Sequence, residues 1–132
     1  GTGTLAGIIT NSGLKDVIID MINVLGLPAF ALAPIAGILM SGATASTTSG
    51  TAVGSSVFGP TLVGLGVNPL NAAGMIHSGA TVLDHLPHGS FFHATGGSVF
   101  MEMKERLKLI GYESIIGITM TAVSTIIYGL IF

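Results

Sequence analysis

The distribution of charge along the chain is the feature that most restricts its fold. Between Met21 and Leu83 the sequence contains no Lys, Arg, Asp or Glu, whereas most of its few charges lie between Glu102 and Glu113. Charged residues make up 8% of the chain, against about 25% in ordinary soluble domains. A water-soluble fold would therefore expose large apolar patches. We expect an integral membrane protein, or a piece of one, and no soluble domain.

Composition also excludes several classes of function. The net charge is −2 and no basic patch is present, which argues against electrostatic nucleic-acid binding. The chain contains no Cys, so disulfides and thiolate metal sites are excluded. No Gly-x-Ser-x-Gly nucleophile motif occurs, which leaves an intramembrane hydrolase as a minor alternative. We expect no enzymatic activity, no cofactor, no metal site and no nucleic-acid partner.

The C-terminal segment is the clearest membrane span. Ser114–Phe132 carries no charge, and at ~1.5 Å per residue it nearly covers the ~30 Å hydrocarbon core of a bilayer. Small residues recur at every fourth position of this span, at Gly117, Thr121 and Thr125. Such a stripe suits close packing on another helix.

The segment Met101–Glu113 precedes this span and carries the only cluster of cations. The cluster consists of Lys104, Arg106 and Lys108. The apolar spacing of the segment is typical of a short amphipathic helix at the membrane surface. Because short connections rich in Lys and Arg stay on the cytoplasmic side, this segment is expected to face the cytoplasm and the C-terminus the outside.

A stretch of small residues interrupts the apolar sequence in mid-chain. All but one residue of Ser41–Ser56 are Gly, Ala, Ser or Thr. The flanking apolar runs Ala29–Met40 and Val57–Val67 are each too short to span a membrane. Pro28 is expected to open the first run, and Gly59-Pro60 to break the second. Unwound backbone at membrane depth is tolerated only inside protein or beside an aqueous cavity. The stretch is therefore predicted to be non-helical over several residues and to face a polar cavity.

The same arrangement recurs on both sides of this stretch. Asn71–Leu83 is a short apolar segment that begins after Asn68-Pro69 and leads into the polar segment Asp84–Gly97. At the start of the chain, Gly1–Gly13 is expected to be another break, followed by a short interfacial helix over Leu14–Leu25. These patterns predict an all-α membrane protein with broken helices or re-entrant hairpins.

The small residues of the mid-chain stretch supply many hydroxyl groups with little steric bulk. Hydroxyls and free backbone N–H groups at half-helix N-termini can bind a carboxylate or polyhydroxylated substrate. The expected substrate-binding residues are Ser41, Gly42, Thr44, Ser46, Thr47, Thr48, Ser49 and Thr51. The alternative is that these small residues serve close packing between helices.

An acid and three histidines lie close together after the Asn71–Leu83 segment. A buried carboxylate in a membrane segment is costly and usually has a function, and histidine titrates near neutral pH. Asp84, His85 and His88 are therefore expected to couple transport to protons or ions, whereas His93 is expected to tolerate substitution better. Two alternatives stay open: the group binds a metal ion, although its spacing matches no zinc signature, or it caps a helix end. His77 is a weaker candidate.

Two motifs in this order resemble a known family. Gly26–Pro69 is an apolar helix that leads into a Gly/Ser/Ala/Thr-rich break and ends at a proline. Gly79–Ile118 contains Leu-Asp-His-Leu-Pro-His, a Lys-bearing loop and the start of the last helix. From about Gly1 to Phe132, the chain resembles the second half of the gluconate permease family of proton symporters. Gluconate-transporting members read Ser-His-Val-Asn-Asp-Ser-Gly-Phe-Trp at the second motif.

The second motif departs from that pattern at several positions. His85 matches the histidine of the family, whereas Asp84 replaces its Ser, and Pro87 and His88 replace its Asn and Asp. This form resembles a less characterised branch of the family. The resemblance therefore implies an organic-anion symporter and leaves gluconate as one of several substrates to consider.

The resemblance also implies a fold built from inverted repeats, each with a re-entrant hairpin and a broken helix, of which this chain is most of the second. The implied function is proton-coupled symport of a sugar acid or hydroxy acid across the cytoplasmic membrane by a multi-pass transporter. The expected partners are the organic anion, protons, the lipid bilayer and the missing N-terminal repeat, and a homo-oligomer is left open. The alternatives are a sodium- or metal-coupled carboxylate carrier and a structural membrane subunit without transport activity.

The orientation can be tested by labelling a cysteine introduced as Lys108→Cys. Because the cationic segment is expected to face the cytoplasm, an impermeant thiol reagent should label this cysteine in permeabilised cells but not in intact cells. The 132 residues contain no cysteine of their own, so the label reports this one position once any cysteines in the rest of the full-length protein have been replaced. Equal labelling of intact and permeabilised cells would reverse the orientation.

Overall fold

The chain folds into helices alone, as the all-α prediction requires. The computed structural model describes the backbone of residues 1–132 and every side chain except that of Thr2. Its α-helices are α1 (Thr2–Asn11), α2 (Leu14–Val24), α3 (Leu32–Thr44), α4 (Thr47–Gly64), α5 (Pro69–Ala80), α6 (Ser90–Ser98) and α7 (Met103–Ile126). A 3₁₀ turn, Ala29–Ala31, precedes α3, and a π-helical turn, Ile127–Ile131, extends α7.

Local sequence explains where two of these helices begin. The Asn68 side chain accepts a hydrogen bond of 2.9 Å from the backbone N–H of Leu70, and Pro69 occupies the first helical turn. This combination satisfies one free N–H group and places proline where it costs no hydrogen bond. At α7, Glu102 and Glu105 form a reciprocal capping box. The predicted starts after Asn68-Pro69 and near Met101 are therefore confirmed.

The last two predicted segments form one helix rather than two. Residues 103–131 run without interruption from the cationic cluster through the apolar span. Among the described residues, this is the one helix long and apolar enough to cross a membrane. The prediction of a separate surface helix is wrong because Gly111 has helical neighbours on both sides, and a single glycine costs only about 1 kcal/mol in a helix.

The core is a closely packed group of three helices, α3, α4 and α5. Glycines stand where these helices meet: a Cβ on Gly37 would collide with the backbone carbonyl of Ile76, and one on Gly79 with that of Pro34. A Cβ on Gly50 would lie 2.5 Å from the Cα of Ser41, which is fully buried. The backbones therefore approach one another as they do in membrane helix pairs rich in small residues.

Helix α7 packs on α5 through the predicted stripe of small residues. Gly117 lies against the backbone of Thr81, and the Thr121 hydroxyl donates a hydrogen bond of 2.8 Å to the carbonyl of Ser78. At the far end, the Asn71 amide donates to the carbonyl of Tyr128, inside the π-helical turn, over 3.1 Å. Gly117 and Thr121 are buried, which confirms the packing role assigned to these two positions.

One predicted break is wrong, and another is shorter than predicted. Segment Gly1–Gly13 contains the helix α1, and Ser41–Ser56 is helical except at Ala45 and Ser46. Small residues do not favour unwinding here because a helix satisfies their backbone hydrogen bonds internally, which apolar surroundings demand. Ser41, Gly50 and Gly54 of this stretch are instead buried where helices meet.

The predicted break at Gly59-Pro60 is also wrong. Helix α4 continues through Pro60 to Gly64, and the proline ring is exposed at the surface of the bundle. Proline removes one helical hydrogen bond, and packing of the residues that follow compensates for that loss. Leu62, two residues later, is fully buried in the core. The tertiary contacts of α4 therefore override the local preference.

The helix contacts predict different outcomes for two glycine substitutions. Gly79→Ala should lower the free energy of unfolding by about 1–3 kcal/mol, because the added methyl group meets the backbone carbonyl of Pro34. Gly111→Ala is the matched control: this glycine lies inside α7, no atom from outside its own helix lies within 4 Å of its Cβ position, and alanine should gain up to about 1 kcal/mol. Thermal unfolding in detergent measures both, and equal midpoints would contradict the packing described.

Candidate functional site

The candidate site begins at the two-residue break between α3 and α4. Ala45 adopts a left-handed conformation with φ 55°, and Ser46 is extended with φ −158°. The Ser46 hydroxyl accepts a hydrogen bond of 3.3 Å from the backbone N–H of Ser49 and thereby caps α4. The Thr44 hydroxyl donates to the carbonyls of Met40 and Ser46. The break is therefore a tight turn that presents the N-terminus of an 18-residue helix.

The loop between α5 and α6 lies against this turn. The Thr47 hydroxyl, on the first residue of α4, donates a hydrogen bond to the Asp84 carboxylate. A Cβ on Gly89 would lie 2.7 Å from the carbonyl of Asp84 and 3.2 Å from that of Ala45. Glycine at position 89 therefore allows the loop to approach the turn, and the two motifs identified from sequence meet in space.

His85 extends this contact towards α7. Its side chain is 2% exposed, with Nδ1 at 3.6 Å from an Asp84 carboxylate oxygen and Nε2 at 2.8 Å from the hydroxyl of Ser114. Both ring nitrogens thus face polar partners although the ring is buried. A continuous set of polar contacts consequently joins the start of α4 to α7 through the acid and the imidazole. We call Thr47, Asp84, His85 and Ser114 the polar chain.

A small cavity lies beside the polar chain, between the loop, α6 and α7. Its volume is about 180 Å³, enough for a few water molecules at ~30 Å³ each. It is lined by Thr81, Asp84, His85, Phe91, Glu113, Ile116, Gly117 and Met120. Two carboxylates and one imidazole therefore face a single space with partly apolar walls, an arrangement in which a proton can move between acid and base.

The remaining histidines make separate contacts. His88 donates a hydrogen bond of 3.0 Å to the carbonyl of Gly42, and His93 donates one of 2.8 Å to the carbonyl of Pro87. Both rings are exposed and pin backbone near the turn and the loop. Among the described side chains, no three His, Asp or Glu residues converge closely enough to hold a metal ion.

Several predicted substrate residues lie away from the polar chain or serve the helices themselves. Ser41 is buried and donates to the carbonyl of Ile38. Thr51 contacts Nδ1 of His77 at 3.2 Å, one turn further along α4. Thr48 is exposed at the surface of α4. The fold thus brings Thr47 into contact with Asp84 and Gly42 into contact with His88. Thr44, Ser46 and Ser49 contact one another within the turn, while Ser41, Thr48 and Thr51 are placed elsewhere.

Sequence reasoning missed a buried ion pair at the start of α7. The Arg106 guanidinium, 3% exposed, donates two hydrogen bonds of 2.6 and 3.0 Å to the Glu113 carboxylate. It also donates to the carbonyl of Phe92 over 3.2 Å and lies 4.7 Å from the centre of that ring. The signal in the sequence was the spacing of seven residues between Arg106 and Glu113, which places them two turns apart on one helix face. Dividing the sequence into two segments at Glu113 conceals this spacing. The contacts of Arg106 with Phe92 hold α6 against α7.

Comparison with known proteins gives one relative. The chain is 67% identical over 129 residues to a protein of Haemophilus influenzae named "Uncharacterized transporter". The match covers 98% of this chain but 31% of that protein, so the chain spans about a third of its relative. No family model matches the chain, and no solved structure is significantly similar to it.

The ion pair predicts different costs for two similar substitutions on α7. Arg106→Met should lower the free energy of unfolding by about 2–4 kcal/mol, because it leaves Glu113 without its partner and α6 without its contact. Lys108→Met, the matched control, replaces an exposed cation on the same helix and should change stability by less than about 0.5 kcal/mol. Denaturation in detergent measures both. If the free energy of unfolding of Arg106→Met fell as little as that of Lys108→Met, the Arg106 contacts would contribute little to stability.

Proposed function

We propose that this chain is the C-terminal part of a membrane transporter that carries a small organic anion together with protons. The name of the Haemophilus influenzae relative supports transport, and the apolar helix of residues 103–131 supports a membrane location. The observation that carries the finer proposal is the hydrogen bond from Thr47 to Asp84. It links a helix N-terminus suited to anions with the carboxylate suited to proton binding.

The substrate in this proposal binds at the turn that begins α4. The N-terminus of a helix favours negative charge because its first N–H groups lack partners within the helix. Hydroxyls from Thr44, Ser46 and Thr47 surround this end. A carboxylate substrate with hydroxyl groups, such as gluconate or a smaller hydroxy acid, offers acceptors to the N–H groups and partners to the hydroxyls.

Competition for the Thr47 hydroxyl provides the coupling. When Asp84 is ionised, it repels an anionic substrate and accepts the hydroxyl hydrogen bond. A proton on Asp84 removes the repulsion and releases this hydroxyl to donate to the substrate. Proton and anion therefore favour each other's binding, which is the thermodynamic requirement for symport. His85, buried beside the acid, is the group that exchanges a proton with it.

The coupling role predicts the effect of Asp84→Asn in the full-length protein. In vesicles with an imposed inward proton gradient, accumulation of labelled gluconate or hydroxy acids should fall to the level of vesicles without the protein. Counterflow exchange should persist, because asparagine is a permanently neutral analogue of the protonated acid. Asp20→Asn, which removes an exposed carboxylate on α2, is the control and should transport like wild type.

Each alternative gives a different result in the same assay. Accumulation by Asp84→Asn equal to wild type across the pH range would remove Asp84 from coupling. Accumulation driven by a sodium gradient in the absence of a proton gradient would favour a sodium-coupled carrier. No uptake of any acid by a correctly inserted wild-type protein would favour a structural membrane subunit.

A further inference from the structure

We infer that Ser114 is a positioning residue for His85 and sets which ring nitrogen carries the proton. The inference rests on the proposed coupling role of Asp84 and His85. Its basis is the contact of 2.8 Å between the Ser114 hydroxyl and Nε2 of a ring that is almost completely buried. Ser114 lies at the point where the cationic part of α7 meets its apolar part, and it is the first residue of the predicted uncharged span.

The two partners of His85 determine which ring nitrogen carries the proton when the ring is neutral. The Asp84 carboxylate faces Nδ1, and a negative charge favours a proton on the nitrogen that it faces. In the neutral ring Nε2 is then the acceptor, and the Ser114 hydroxyl donates to it. Without that donor, Nε2 would be a buried acceptor with no partner, and the ring would have reason to rotate or to move its proton.

A hydroxyl group is suited to both charge states of the imidazole. It donates to Nε2 while His85 is neutral, and it accepts from the Nε2–H group once the ring is protonated. A carbonyl oxygen could serve only the second state, and an ammonium group only the first. Ser114 can therefore remain bonded to His85 throughout a cycle of proton uptake and release.

The backbone of α7 holds Ser114 in place. Gly117 and Thr121, on the same face of the helix, contact the carbonyls of Thr81 and Ser78. The neighbouring Glu113 is fixed by the two hydrogen bonds from Arg106. The helix backbone that carries Ser114 is therefore held both before and after this residue. A positioning group requires such support.

The charged groups around His85 come from the loop and from α7. Asp84 lies next to Nδ1, and Glu113 lines the same cavity as the imidazole, with Arg106 paired to Glu113. Ser114→Ala changes none of these charges, so an effect on proton coupling would come from the lost hydroxyl.

The test compares three variants of the full-length protein: Ser114→Ala, Ser114→Thr, which keeps a hydroxyl, and Ser124→Ala, a matched control ten residues further along α7 whose hydroxyl lies outside the site. Nitrogen-15 NMR of labelled histidine, with the His85 signal assigned through His85→Gln, reports the tautomer without any substrate. Proton-driven uptake of labelled gluconate, measured against pH, reports coupling.

Ser114→Ala should shift the ring-nitrogen signals of His85 and lower proton-driven uptake about tenfold, with a displaced pH profile and retained counterflow. Ser114→Thr should restore both readouts, and Ser124→Ala should match wild type. Unchanged His85 signals in Ser114→Ala would overturn the inference.

Shifted signals with a normal pH profile would also overturn it and leave the proposed function intact, provided that Asp84→Asn still abolishes accumulation. Normal uptake by both the Ser114→Ala and Asp84→Asn variants would remove the proposed function as well.

Discussion

The direct approach of backbones at Gly37 and Gly79 is the constraint on which the rest of the structure depends. Helices α3 and α5 touch there without intervening side chains. Neither helix carries a charged residue, and between helices in lipid the burial of apolar surface drives association only weakly. Close van der Waals contact must then hold the helices together. The turn after α3 and the loop after α5 lie beyond these contacts, so the same contacts bring Thr47 and Asp84 within reach of each other.

The sequence predicted isolated polar residues of the site better than it predicted where the helices break. The Asp84–His85 pair stood out because an acid at the end of an apolar segment has few ordinary explanations. The extent of the break was not evident from the sequence, because Ser41 and Gly50 look like loop residues there but form a helix contact in the fold. Composition alone does not distinguish small residues that unwind a helix from small residues that allow helices to pack.

The site residues that sequence missed belong to α7. Arg106 counted as a surface cation, yet it is buried against Phe92 and Glu113. Ser114 is the first residue of the predicted membrane span, for which no polar contact was expected, yet it contacts His85. Both roles depend on the rotation of one continuous helix relative to α5 and α6. That rotation is set by distant contacts such as Thr121 with Ser78, which local sequence patterns do not encode.

The contacts between α7 and α5 at several positions along the helix axis have a consequence for the surrounding bilayer. The helix of residues 103–131 contains 29 residues, and its uncharged part from Ser114 onward is about 27 Å long, close to a hydrocarbon core of ~30 Å. A free helix would adjust to membrane thickness by tilting. Contacts at Gly117, Thr121 and Tyr128 tie this one to α5 along its length. Its tilt is thus a property of the bundle, and lipids of a different chain length must stretch or compress around it.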